Sequence, residues 1–190
     1  IFLDSKAEQD YTQVFDMIGC KNVFAVCSES AKERYGRQLF SDSQIAVTWF
    51  GSFASNPIYE DVAAGVELFR KDSYDAVVSI GGGSAIDVAK AILAFSNMDP
   101  SRDYMEQEIT ESKIPHLAVP TTAGTGSEST HFAVVYVNGE KKSIAHESLL
   151  PDYALLEPLY LESLPLFQKK CTVLDALCQA IESYWSVKST

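Results

Sequence analysis

Short apolar runs alternate along this chain with longer stretches of helical period. Val23-Phe24-Ala25-Val26 is a β-prone run, and the polar Ser28-Glu29-Ser30 after it predicts a capped helix through Tyr35. Ile45 to Phe50 forms a second run that stops at Gly51. A polar loop holding Asn56-Pro57 then leads into an amphipathic helix, on which Val62, Val66 and Phe69 share one face. The third run, Ala76 to Ile80, ends in Gly81-Gly82-Gly83 and gives way to Ile86, Ala89, Lys90 and Leu93 on a helical period. A fourth, Pro115 to Val119, ends in Pro120-Thr121-Thr122.

Four apolar strands separated by helices predict an α/β fold with a doubly wound, mainly parallel sheet. Parallel strands need long crossovers and are buried on both faces, so they lose the polar alternation of a one-sided sheet. Residues 131–144 alternate differently and turn at Asn138-Gly139, which predicts a β-hairpin at the sheet edge. Past Pro151 the texture changes again. Pro158 and Pro165 punctuate a linker, and Thr172 opens a predicted helix to about Val187. The domain boundary is expected near Leu164, with an α/β domain over 1–164 and the first helix of a second domain over 165–190.

Composition narrows the partners. A chain of 190 residues, 46% of them hydrophobic, can bury one substantial core with some chain left over. Its formal net charge of -11 excludes a surface built for nucleic acid or anionic membrane, since either would be repelled before contact. Small solutes are the expected ligands. No apolar run approaches the ~20 residues a membrane-spanning helix requires, and Ile1-Phe2-Leu3-Asp4 lacks the basic-then-apolar pattern of a signal peptide. A soluble protein is expected. Ile1, strand-like and with no Met before it, suggests that the beginning of a longer chain is missing. Cys20, Cys27, Cys171 and Cys178 form no CxxC pair, which predicts reduced thiols in a cytoplasm.

Two loops carry candidate chemistry. Gly81-Gly82-Gly83-Ser84 lies between a strand and a helix, where backbone N–H groups are unpaired and the helix dipole favours an anion. Glycine permits close approach of a pyrophosphate, and the Ser84 hydroxyl can both cap the helix and donate to a phosphate oxygen. The spacing does not satisfy G-x-G-x-x-G, because Ile86 occupies the third glycine position; a plain strand-to-helix turn is the alternative. Pro120-Thr121-Thr122-Ala123-Gly124-Thr125-Gly126-Ser127-Glu128 offers many hydroxyl and amide donors to a ribose and phosphates, with a capped turn as its alternative.

Together, Gly81 to Lys90 and Pro120 to Glu128 resemble the two signature stretches of the iron-containing (group III) alcohol dehydrogenases, and Ser55-Asn56-Pro57 resembles that family's PNP loop. The resemblance covers essentially the whole chain. It implies a dehydroquinate synthase-like N-terminal domain that begins after the family's usual first strand, followed by the start of an all-helical metal-binding domain, with the chain ending about halfway through a family member. It also implies a homodimer, and that the 190 residues alone are inactive. By the same resemblance, Gly82, Gly83 and Ser84 would hold the pyrophosphate of NAD or NADP, with Asn56 and Asp87 nearby, and Thr121, Thr122 and Thr125 would line the cofactor cleft. Lys142 matches a lysine near the nicotinamide ribose; a solvated hairpin charge is its alternative. Ser28 aligns with an acidic residue that bonds the adenosine ribose in NAD-preferring members. A hydroxyl there does not repel a 2′-phosphate, so NADP(H) is admitted, with Lys32 and Arg34 within reach.

Leu174-Asp175-Ala176-Leu177-Cys178-Gln179-Ala180-Ile181-Glu182 resembles the family's D-A-L-x-H-A-I-E segment, whose Asp and His ligate a divalent metal, Fe or Zn. Asp175 and Gln179 are four apart and share a helical face. A neutral amide oxygen is a poorer ligand than imidazole, so Gln179 either binds weakly or through water, or the metal is gone. His116, His131 and His146 match no ligand position and are expected to be packing or surface residues. The implied reaction is hydride transfer between a nicotinamide and a small aldehyde or alcohol, assisted by the metal. The wording of residues 175–186 further resembles the branch that reduces phosphonoacetaldehyde to 2-hydroxyethylphosphonate. A metal-dependent cyclase resembling 3-dehydroquinate synthase, which uses NAD transiently, and a non-catalytic dinucleotide binder are the rivals.

Overall fold

The computed structural model describes residues 2–3, 11–41 and 44–187. Eight strands and seven α-helices follow in chain order among them: β1 (Phe2–Leu3), α1 (Thr12–Ile18), β2 (Asn22–Val26), α2 (Glu29–Ala31), a π-helical turn (Lys32–Gly36) continuing into α3 (Arg37–Leu39), β3 (Ala46–Phe50), α4 (Tyr59–Phe69), β4 (Ala76–Gly81), α5 (Gly83–Phe95), β5 (His116–Pro120), β6 (Phe132–Val137), β7 (Glu140–Ala145), β8 (Tyr153–Leu156), α6 (Pro158–Glu162) and α7 (Leu166–Trp185). Six strands form one sheet in the order β1-β8-β5-β4-β2-β3, with every neighbouring pair parallel.

The predominantly apolar character of β2, β4 and β5, broken by Asn22, Ser79 and His116, follows from their position. Successive side chains of a strand point to opposite faces, and here both faces are covered. Phe24, Val26 and Val77 pack with α4 and α5 residues such as Val62, Val66, Val88 and Ile92. Val23, Ala25, Ala76 and Val78 face the other way, onto Phe15, Tyr35, Leu39 and Tyr160. Phe24 anchors the first layer, edge-on to Phe69 at 5.1 Å and to Tyr74 at 5.2 Å between ring centroids. Truncating so large a buried ring to Ala would cost about 3–5 kcal/mol.

The connections bring the site into position. From β2 the chain crosses to β3 on one side, whereas from β4 it crosses to β5 on the other, so the order reverses between adjacent β2 and β4. Such a switch point leaves a crevice beyond the carboxyl ends of the two strands. Ser28 and the Gly81–Gly83 turn both follow those ends.

Three expectations change. The hairpin β6–β7 forms, in the register Val137↔Glu140 with Asn138 at φ 52° and Gly139 at φ 80°, but as a separate two-stranded sheet and not at the edge of the main one. Its apolar side chains Val135 and Ile144 join the α4–α5 layer, so burial on a helix replaced sheet extension. Residues 153–156, assigned to a linker, are β8, the strand between β5 and β1; Ala154 and Leu155 are buried there. The last helix starts at Leu166, directly after Pro165, and Thr172 lies inside it with its hydroxyl donating to Lys169 O at 3.1 Å. Threonine bonds back to a helix carbonyl as readily as it caps, which misled the boundary.

Helix α7 buries none of its residues. Leu174, Leu177, Ile181 and Trp185 form its apolar stripe, and all are exposed. Among the described residues no helix is long and apolar enough to cross a membrane.

Candidate functional site

Strand β4, buried along its whole length, delivers Gly81 to the end of the sheet. Gly81 has φ 155°, and a Cβ there would stand 2.8 Å from the Ala85 Cβ, so the turn into α5 admits no side chain. Gly82 is the N-cap: its carbonyl accepts from Ala85 N at 3.1 Å and Ile86 N at 3.4 Å. Ser84 therefore does not cap the helix. It sits in the first turn, and its hydroxyl donates to the Ser55 carbonyl, tying the turn to the Ser55-Asn56-Pro57 loop. The first-turn N–H groups at Gly83 and Ser84 have no partner within the helix, and the dipole makes their end positive.

The threonine loop lies across this turn. Thr121 N donates to Gly81 O at 2.9 Å, and the Thr121 side chain is buried. A Cβ at Gly82 would reach 3.1 Å from Thr122 Oγ1, and one at Gly83 would reach 3.2 Å from Thr125 Cγ2. The two loops are therefore complementary surfaces, with hydroxyls on one facing bare backbone on the other. Gly124, at φ 150°, backs onto the Thr172 carbonyl of α7. Between the loop, β8 and α7 opens a cleft of about 370 Å³, lined by Thr122, Glu128, Leu156, Glu157, Leu161 and Ala176 among others.

Asp87 and Lys90 turn out to hold the loop's far end. The Asp87 carboxylate accepts from Ser127 Oγ at 3.0 Å and Val134 N at 3.3 Å. Burial raises its pKa, partly offset by the Ser127 bond. Lys90 is wholly buried, and its Nζ lies 2.7 Å from Ser127 O, 2.7 Å from Thr130 O and 2.8 Å from Phe132 O. Burial pulls the ammonium down to about 8. In the sequence Lys90 is one position of a helical period and the last residue of the signature stretch, with no role of its own. The signal for more was its type: a lysine on the stripe of Ile86, Ala89 and Leu93 must find acceptors if that stripe is buried.

The remaining candidates are more dispersed. Ser28 caps α2, its Oγ accepting from Ala31 N at 3.3 Å and lying 3.1 Å from Ser30 Oγ. Lys32 is engaged by Glu29 at 3.2 Å and sits 5.6 Å from the Trp49 ring centroid. Asn56 is exposed, while adjacent Pro57 is buried and its carbonyl accepts from Tyr136 N at 2.8 Å. Lys142 is exposed on β7 and paired with Glu140 at 2.7 Å. Gln179 donates its amide to Asp175 Oδ2 at 3.0 Å on the exposed face of α7. Among the described residues no group of three His, Cys, Asp or Glu could hold a metal.

The histidines lie elsewhere. His116 is buried in β5, its Nε2 2.8 Å from Ser79 Oγ, and burial depresses its pKa to about 3. His131 is 4.0 Å from Glu147 Oε1, and His146 caps the turn at 147–149.

Known proteins share both fold and sequence. The model of the family described as iron-containing alcohol dehydrogenase matches residues 1–158. The Escherichia coli protein named "Probable alcohol dehydrogenase EutG" is 39% identical over 150 residues, covering 77% of this chain and 38% of that protein. The NAD-dependent methanol dehydrogenase of Bacillus methanolicus is 36% identical over 147 residues, covering 75% and 39%. An iron-containing alcohol dehydrogenase of Thermotoga maritima superposes with a TM-score of 0.85 at 31% identity, covering 100% of this chain and 54% of that one. The sulfoacetaldehyde reductase of Bifidobacterium kashiwanohense, solved with NAD+, superposes with a TM-score of 0.85 at 28% identity, covering 98% and 52%. The chain spans about half the length of these solved structures and less than half that of the curated relatives. A parallel sheet with a glycine turn and a hydroxyl-rich loop at its carboxyl end, and sequence likeness over most of its length, make this chain a member of the iron-containing alcohol dehydrogenase family.

Proposed function

We propose that residues 1–164 are the dinucleotide-binding domain of an NAD(P)-dependent alcohol dehydrogenase or aldehyde reductase, and that α7 begins its helical metal-binding domain. The observation that carries the reading is the bare backbone of Gly82 and Gly83 at the start of α5, faced by Thr122 and Thr125. Amide donors at a helix N-terminus suit a pyrophosphate, and any Cβ in the turn would fill its cradle. Thr121, Thr122 and Thr125 would line the cleft, with Ser84 and Asn56 at its rim. Ser28, at the end of β2, would face the adenosine ribose. A hydroxyl there tolerates either a free 2′-OH or a 2′-phosphate, so NAD and NADP both fit. Lys142 would approach the nicotinamide end only by leaving Glu140. Asp87 would act through Ser127 rather than on the cofactor.

A bound nicotinamide would supply or accept the hydride, and a bound metal would polarise the substrate oxygen. Asp175 would offer one hard oxygen ligand to Fe or Zn, and Gln179 a weaker amide oxygen, so this helix would supply part of a metal site and not a whole one. The substrate we propose is a small aldehyde carrying an anionic head, with phosphonoacetaldehyde reduced to 2-hydroxyethylphosphonate as the specific case. The wording of residues 175–186 supports it, as does likeness to a sulfoacetaldehyde reductase, whose named substrate also joins a two-carbon aldehyde to an anion. Titrating the full-length protein with NADH and NADPH, then following aldehyde-dependent oxidation across acetaldehyde and phosphonoacetaldehyde with metal analysis, tests the reading. Cofactor bound without metal and without turnover of any aldehyde would favour a non-catalytic binder, for which Gln179 in place of an imidazole is the argument.

A further inference from the structure

We propose that Lys90 is a positioning residue for the dinucleotide site: its buried ammonium, with Asp87 beside it, fixes the far end of the threonine loop so that the loop stays closed over the glycine turn. The inference rests on the cofactor reading above. Three observations carry it.

Lys90 has no solvent exposure, and its Nζ lies within hydrogen-bond distance of three backbone carbonyls, Ser127, Thr130 and Phe132, and 3.3 Å from Thr130 Oγ1. An ammonium has three protons to donate, so the carbonyls alone can satisfy it. A fully desolvated cation is costly to leave unpaired, so these carbonyls are held as firmly as the lysine is. Asp87, one helical turn earlier on α5, takes the same segment from the side through Ser127 Oγ and Val134 N. The third observation is the loop's other end. Thr121 N is bonded to Gly81 O, inside the glycine turn itself.

The loop is thus pinned twice to the strand–turn–helix unit that forms the cradle. One pin is at β4's last residue and the other about two turns into α5. Between the pins lie Thr122 against Gly82 and Thr125 against Gly83. Release of the far pin would leave the hydroxyls attached at one end only, and a ligand would have to order them on binding. The charged groups facing Lys90 are Asp87 on its own helix and Glu128 on the loop, both of which favour its protonated form.

The test uses the full-length protein with Lys90→Met, which keeps length and apolar stem and removes the donors. Amide hydrogen exchange in the cofactor-free protein should rise across residues 121–132 and remain at wild-type level in β2 and β4. The dissociation constant for NADH or NADPH should rise about tenfold or more, with the aldehyde KM changed less. Val66→Ala, in the α4 layer away from the loop, controls for a general loss of stability, because it should lower Tm and leave cofactor affinity intact. Unchanged exchange over 121–132 and unchanged cofactor affinity in Lys90→Met would overturn the positioning role. Failure of the wild-type protein to bind either cofactor would instead overturn the cofactor reading; the exchange result would still decide whether Lys90 holds the loop.

Discussion

Helices α5 and α7 both carry apolar residues at helical spacing, yet they end in opposite surroundings. Ten of the thirteen residues of α5 are buried, down to its lysine, whereas none of the twenty in α7 is. For α5 every partner is within the chain: β4 and β5 below, α4 beside it and the hairpin across its outer face. For α7 the apolar stripe Leu174–Leu177–Ile181–Trp185 faces no described residue that buries it. The same contrast separates the two chemical halves. Glycine turn, threonine loop and Lys90 close on one another, while among the described residues the Asp175 carboxylate is bonded by Gln179 on the same exposed helix. The glycine and threonine loops are thus held by supports within the α/β unit, as the pre-organisation of a site requires.

The contrast can be broken first on the buried side, by acid. His116 is held at about 3 against an ordinary 6.5, because its ring is fully desolvated. Between those two values the unfolded chain binds a proton that the folded one refuses, so stability falls as pH drops from about 6.5 towards 3. The loss should amount to a few kcal/mol, and His116→Gln, which keeps a hydrogen-bonding partner for Ser79, should flatten that limb. Urea denaturation at half-unit pH steps checks it; parallel pH profiles for the two proteins would show that His116 is not the group responsible.

Next in size is Gly82→Val. A Cβ there would stand 3.1 Å from Thr122 Oγ1, and the valine methyls would enter the cradle between the loops. NADH or NADPH affinity, read by fluorescence titration of the full-length protein, should weaken about 100-fold, worth about 2.7 kcal/mol, while the far-ultraviolet spectrum stays native. An unaltered dissociation constant would remove the glycine turn from the site.

How far the sequence revealed these features follows from where each contact's partner lies along it. Strands β2, β3, β4 and β5 are legible because each is a short, mostly apolar run closed by a polar or glycine-rich turn, and the glycine and threonine loops because they follow such strands. Strand β8 is not, since four residues between two prolines read as linker until the main sheet lends them a neighbour. The hairpin was found by its Asn138-Gly139 turn, but its mounting on α5 depends on tertiary packing that no local pattern encodes. Asp87 is expected from the resemblance to lie near the pyrophosphate and Lys90 is only the last residue of a signature stretch; their grip on residues 127–134 spans some forty positions and leaves no local pattern. The capping role expected of Ser84 falls to Gly82, because a hydroxyl two residues further on has left the cap position.

A third change separates the two cofactors. Ser28→Asp would put a carboxylate at the end of β2, where it can accept from a ribose 2′-OH and repel a 2′-phosphate. It would still cap α2, because aspartate serves at an N-cap as well as serine. The ratio of NADPH to NADH affinity should fall about tenfold, a difference of about 1.4 kcal/mol. A constant ratio would mean that Ser28 does not face the ribose.

The smallest effect is expected on α7. Gln179 donates to Asp175 across one exposed turn, so in the 190-residue chain Gln179→Ala removes a solvated hydrogen bond and little else. Exposed substitutions of this kind change stability by no more than about 0.5 kcal/mol, and alanine's helix propensity compensates part of the loss. Denaturant midpoints should therefore coincide for the two chains. In the full-length protein the same change should act on metal content instead, because Asp175 would lose the neighbour that orients its carboxylate. A shift above about 1 kcal/mol would show Gln179 packed against another residue, and the contrast between buried α5 and exposed α7 would fail.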